Sequence, residues 1–257
     1  VYGDMNNQYQ ACSDNYALDF SLFVQIAIIG KWSNDSNSQL QYFCPLIVFS
    51  DRANFQQRLF FKDLVFNSTQ LQILSGHVVF ENVDFCSTIM TDNVGVSPSF
   101  TQQLYLTLNL TNWYSLDRNH LATNYIKLSQ SNYTHLTVYN SVFHETQFLF
   151  SCIYCSYRFH NVVHSGWPID HFHGCHAIFC ITKQDTEKSV WFITRNTFEL
   201  SNFNGLGSKN HFLSIEIANL IVLIANSSLN SYDSLKFEAN EKHLENGYFL
   251  EVFISNS

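Results

Sequence analysis

LTVYNSVFHET, from Leu136 to Thr146, decides how this chain is read. Leu136 and Val138 alternate with polar neighbours at the two-residue period of a strand. Asn140 interrupts that alternation with a short amide side chain, which bonds backbone in bends. Phe143 then resumes the apolar face. The unit is therefore strand, bend, strand, written as apolar, any, apolar, any, Asn, any, any, aromatic.

Variants of this unit recur on both sides of it. They are LFFKDLVF (Leu59 to Phe66), VVFENVDF (Val78 to Phe85), YRFHNVVH (Tyr157 to His164), WFITRNTF (Trp191 to Phe198) and VLIANSSL (Val222 to Leu229), with a weaker LNLTNWYS (Leu108 to Ser115). Their fifth positions are Asp63, Asn82, Asn112, Asn140, Asn161, Arg195 and Asn226, at intervals of roughly 19 to 34 residues, the range of solenoid repeats. A second strand type accompanies the unit: LQIL at 71, YIKL at 125, FLFS at 148, AIFC at 177, FLSI at 212 and FLEV at 249. Two strand types in fixed order per period predict a coil, whereas a sandwich of short strands needs more turn residues than 9 Gly and 3 Pro supply.

The expected fold class is all-β: a parallel solenoid of about six to eight rungs over residues 59–257, preceded by a strand and cap region over residues 1–58. Within the cap, Phe20, Leu22, Val24, Ile26 and Ile28 alternate as one strand face. The 24 Phe and 13 Tyr suit pleated, half-buried surfaces.

A hydrophobic content of 46% with 13% charged residues excludes a solvating, disordered chain. The net charge of -8, with 13 Lys plus Arg and no basic run, excludes nucleic acid as a partner, because phosphates need clustered positive charge. No apolar run reaches the length of a membrane span. No Ser-His-Asp order with a glycine elbow and no phosphate-cradling glycine loop is present.

The rung pattern and its Asn positions resemble the right-handed parallel β-helix of the pectin-lyase-like superfamily over residues 59–257. The resemblance implies that Asn82, Asn140, Asn161 and Asn226 stack as a ladder at one bend; Arg195 and Asp63 depart from it. The Asn-, Phe- and Tyr-rich composition is similar to that of large surface proteins of this fold from AT-rich genomes such as those of ciliates. WPIDHFHG (Trp167 to Gly174) is similar to a pectate lyase segment interrupted by Pro168, which makes Asp170 and His171 the only catalytic candidates the resemblance transfers. The stacked acidic pairs of its polysaccharide lyases and hydrolases are not found.

Seven Cys leave at least one thiol without an intrachain partner. Cys152 to Cys175 and Cys155 to Cys180 are each about one rung apart, so adjacent rungs ≈ 4.8 Å apart predict two cross-rung disulfides. Cys12 with Cys44 is the third expected bridge and Cys86 the leftover. The alternative is zinc on Cys152, Cys155, His160 and His164, although four residues between the pairs is short for a zinc module. His164 also occupies the Phe143 position, where it would simply pack.

Five sequons occur, at Asn34, Asn67, Asn109, Asn132 and Asn226, against about four expected by chance from composition. A ladder position inside a bend would remove Asn226, leaving Asn34, Asn67, Asn109 and Asn132 as glycan sites. These features together predict a non-catalytic, extracellular structural or assembly glycoprotein that needs no cofactor. Its partners would be other subunits or further rungs of a longer chain, met at the coil ends or on loops; a binding or adhesion module would instead show an exposed aromatic strip on loops such as Ser165 to Pro168 or Asn202 to Lys209. A carbohydrate-active enzyme or carbohydrate-binding module is the alternative.

Overall fold

The computed structural model describes residues 16–30, 40–50, 57–67, 69–92, 103–114, 124–128, 133–150, 154–166, 177–181, 196–206, 211–215, 220–230, 235–237 and 250–256. They are all-β, with no helix among them.

The repeat around Leu136 to Thr146 shows the plan. Its first strand is Tyr133–Tyr139, its second Val142–His144 and its third Thr146–Phe150. Asn140 turns the chain between first and second with φ 48°, and Glu145 turns it between second and third with φ 50°. Left-handed backbone is cheap only for Gly and for Asn or Asp, whose side chains bond locally, so the first corner selects the residue type. The corner also shifts the phase of the alternation. Val138 points inward and Tyr139 outward; after Asn140 it is Ser141 that points inward, then Phe143.

Each strand pairs in parallel with its counterparts one repeat earlier and later. Tyr133–Tyr139 lies between Gln103–Asn109 and Tyr154–Ser165, Val142–His144 between Asn112–Tyr114 and the far half of Tyr154–Ser165, and Thr146–Phe150 between Asn124–Leu128 and Ala177–Ile181. Third strands build a nine-stranded sheet, and first and second strands share a thirteen-stranded one.

Because like positions stack, like side chains meet. Phe66 and Phe85 stack at 5.4 Å between centroids, Phe85 and Trp113 at 4.1 Å, and Trp113 and Phe143 at 5.8 Å. These rings are wholly buried and anchor the main core. The second corner carries a buried polar stack of Thr69, Thr88, Asn124 and Thr146. Thr88 Oγ1 donates to the carbonyls of Phe66 and Cys86, and Asn124 Oδ1 accepts from Thr88 N at 2.7 Å, so corner backbone that strands leave unpaired is satisfied from inside.

The observed register corrects two copies of the pattern. Gln103–Asn109 aligns Leu106 with Leu136 and Leu108 with Val138, which places Leu110, not Asn112, at the corner with φ 54°. Asn196–Leu206 aligns Phe198 with Tyr157, so Asn202 (φ 51°) is the corner residue of this repeat, and Arg195 lies outside the described residues. The two-residue slip from Asn112 to Leu110 leaves the inward face apolar, so the local pattern does not detect it. Leu250–Ser255 likewise pairs with the first strand Leu220–Ala225 instead of extending the third-strand sheet.

The columns also begin inside residues 1–58. Gln25–Ile29 pairs with Arg58–Asn67, Leu40–Tyr42 with the second half of the same strand, and Tyr16–Asp19 with Leu46–Phe49. The long alternating strand expected from Phe20 is shorter. Phe20 is buried and accepts from Phe23 N in a turn, Asp19 accepts from Ser21, and Leu22 is 82% exposed. Gly30 occupies the first corner above Asp63, where a Cβ would lie 2.5 Å from the Leu64 Cβ.

Candidate functional site

The corner asparagines form a ladder on the outer face of the thirteen-stranded sheet. Asn82 Nδ2 donates to Asp63 Oδ1 at 2.6 Å and Asn161 Nδ2 to Asn140 Oδ1 at 2.7 Å. Leu110 breaks the run, and Asn140 Nδ2 turns instead to Asn109 Oδ1 at 3.3 Å. Asn82, Asn140, Asn161, Asn202 and Asn226 are all exposed. The expectation that Asn226 is shut inside a bend is therefore corrected: the left-handed residue points its side chain to solvent, and its successor, Ser227, is the buried one. Asn226 thus rejoins the accessible sequons. Asn67 and Asn109 are half-buried, and Asn34 and Asn132 lie outside the described residues.

Outward side chains of neighbouring repeats pair along the stack. Lys62 meets Glu81 at 3.1 Å, Arg158 meets Glu199 at 3.1 Å, Asn112 donates to Asp84 at 2.8 Å and Thr197 donates to Ser156 at 3.1 Å. His77, Tyr105 and His135 make a ring stack on the same face, with Tyr105 and His135 4.6 Å apart and nearly coplanar. Partial burial, with Arg158 nearby, lowers the His135 pKa, and burial with Arg58 lowers that of His77. Both rings stay neutral near pH 7.

The cysteines divide by face. Cys44, Cys155 and Cys180 are disulfide-bonded, and Cys86, the expected leftover, is a buried thiol outside any disulfide. Cys155 faces the main core from a first strand, while Cys180 sits in a third strand on the side away from that core, with Leu149 and Ala177. They are not register neighbours, so the geometry assumed for a Cys155–Cys180 bridge is not present. The expected partners Cys12, Cys152 and Cys175 lie outside the described residues, as do Asp170 and His171.

The zinc alternative does not survive the corner at Asn161. His160 points outward and is exposed, whereas His164 points inward and is fully buried, with Nε2 2.8 Å from the Thr146 carbonyl. Burial lowers the His164 pKa to about 4, although the Thr146 bond opposes the shift. It occupies the aromatic position across from Phe143 and packs there. Among the described residues no three His, Cys, Asp or Glu gather as metal ligands.

One constellation escaped the sequence motifs. His144 Nδ1 lies 3.0 Å from Ser165 Oγ, and His144 Nε2 lies 3.5 Å from Glu145 Oε1. His144 and Ser165 are register partners one repeat apart, and Glu145 N donates to the Ser165 carbonyl at 2.9 Å. Only knowledge of the register would have flagged them, since 21 residues separate His144 from Ser165 with no motif between. The segment Asn202 to Leu206, expected in a loop, is strand.

No family model matches the chain, and neither a curated protein nor a solved structure does so.

Proposed function

We propose that the chain is a right-handed parallel β-helix serving as an extracellular structural or assembly scaffold. The observation that carries this reading is where the outward polar side chains go: Lys62, Asp63, Asn82, Asp84, Asn140, Arg158 and Glu199 each bond to the neighbouring repeat. Exposed pairs of this kind contribute under about 1 kcal/mol each, so they set register more than stability. Repeating parallel crossovers favour the right hand, because right-twisted strands pack back on the sheet only that way.

Stable disulfides belong to oxidising compartments, and the bonded state of Cys44, Cys155 and Cys180 supports export. Partners would be further rungs or other subunits added to the strand edges, as parallel edges template more strands.

A thiol count tests the reading. Protein made through a secretory route, denatured without reductant and treated with a maleimide mass tag, should take one tag, on Cys86. Seven tags would remove the case for an extracellular scaffold.

A further inference from the structure

We propose that Ser165, His144 and Glu145 form a nucleophile site that transfers the acyl group of a short-chain ester to water. This goes beyond the scaffold reading and does not rest on it. A weak alcohol nucleophile needs a base within hydrogen-bond reach and a third group that orients the base, and such sites are recognised by geometry, not by sequence order. Ser165 Oγ lies 3.0 Å from His144 Nδ1, within hydrogen-bond reach, and Glu145 Oε1 lies 3.5 Å from His144 Nε2, an ion-pair contact that sets the carboxylate beside the ring. With the proton on Nε2 facing the carboxylate, Nδ1 is free to accept from the serine hydroxyl.

The backbone holds the three in place. Strand pairing sets His144 against Ser165, and the bond from Glu145 N to the Ser165 carbonyl ties the left-handed corner at Glu145 to the same rung. Gly166, with φ 76°, leaves the room they use: a Cβ there would stand 2.8 Å from Glu145 Cγ and 3.1 Å from His144 Cε1. Beside them on the outward face, Val142 and Val163 pair across the same two repeats and give a short acyl chain an apolar shelf.

The reaction balances with water alone. Ser165 Oγ bonds to the ester carbonyl carbon as its proton passes to His144 Nδ1, and the Glu145 carboxylate stabilises the imidazolium. The carbon–alkoxide bond then breaks and the imidazolium returns the proton to the leaving alcohol. Water, deprotonated by His144, attacks the acyl-serine and releases the carboxylic acid and free Ser165.

The whole chain is treated with a biotinylated fluorophosphonate, and the adduct is mapped by peptide mass spectrometry. One adduct per chain, on Ser165, is expected; Ser165→Ala should abolish it, and His144→Gln should slow it about 100-fold, the scale of a lost general base. Glu145 acts as a positioning residue, so Glu145→Gln should slow labelling several-fold at an unchanged melting temperature, and the conservative Glu145→Asp should restore part of the rate. Circular dichroism and melting confirm that each variant is folded. Folded wild-type protein that takes no label, or a label unaffected by Ser165→Ala or His144→Gln, would overturn the site.

Discussion

His164 Nε2 lies 2.8 Å from the carbonyl oxygen of Thr146, with its ring tilted against Phe148 and no exposed surface. A histidine thus does the filling done by Phe143 one repeat earlier, and supplies a hydrogen-bonding group to a corner carbonyl that Phe could not. Burial favours the neutral ring, whose Nε2–H donates to that carbonyl.

That preference makes stability depend on pH. The folded pKa of about 4 lies below the ordinary 6.5, so the unfolded chain takes up the proton first as pH falls. Stability from neutral His164 is complete above about pH 6.5 and is lost down to about pH 4, on the order of 3 kcal/mol in total. His164→Phe loses the Thr146 bond at pH 7 but removes this acid-side decline. Urea unfolding of both proteins between pH 7 and pH 4 should show their stability difference shifting in favour of the variant; parallel curves would refute the assignment.

Leu110 is the branched residue that holds φ 54° at a corner where its counterparts are Gly, Asp or Asn, and it is 47% exposed. Leu110→Asn relieves a conformational cost of about 1 kcal/mol and sacrifices little burial. A raised melting temperature is expected, and an unchanged or lower one would argue against the register given for Gln103–Asn109.

Asn161→Ala places Ala at φ 53° and deletes the donor to Asn140, a loss of about 1–2 kcal/mol. Asn161→Gly deletes the same donor while tolerating the backbone. Denaturant midpoints of the two variants therefore separate bond from backbone: the Gly variant should retain most of the stability.

Trp113 is wholly buried between Phe85 and Phe143, and its Nε1 has no hydrogen-bond partner among the described residues. Trp113→Ala opens a cavity and should cost about 3–5 kcal/mol. Trp113→Phe keeps a stacked ring and removes the unpaired donor, so its cost in calorimetry should fall well below that of the Ala change.

Exposure of Asn226 predicts that its sequon is usable. Peptide mapping of protein secreted from a eukaryotic host should find a sugar on Asn226; its absence beside occupied sites elsewhere would point to the tight corner as the obstacle.

The sequence by itself determined the strand class, the corner and much of the register. A two-residue alternation can be satisfied only by strands, and a left-handed corner selects Asn, so Asn82, Asn140, Asn161 and Asn226 were legible one residue at a time, whereas Asp63, expected to depart from the ladder, holds the same left-handed corner and accepts from Asn82. Tertiary stacking decided what alternation leaves degenerate. A strand moved by two residues keeps every side chain on its own face, which is why Leu110, two residues before Asn112, emerged as a corner only once neighbouring repeats were in place, and pairing with the neighbouring repeat likewise placed the corner at Asn202, seven residues past Arg195. The direction of the corner side chains depended on backbone twist, not composition, and this returned Asn226 to solvent. The meeting of His144 with Ser165 depended on how many residues separate one paired strand from the next, a length the residues between them do not spell out.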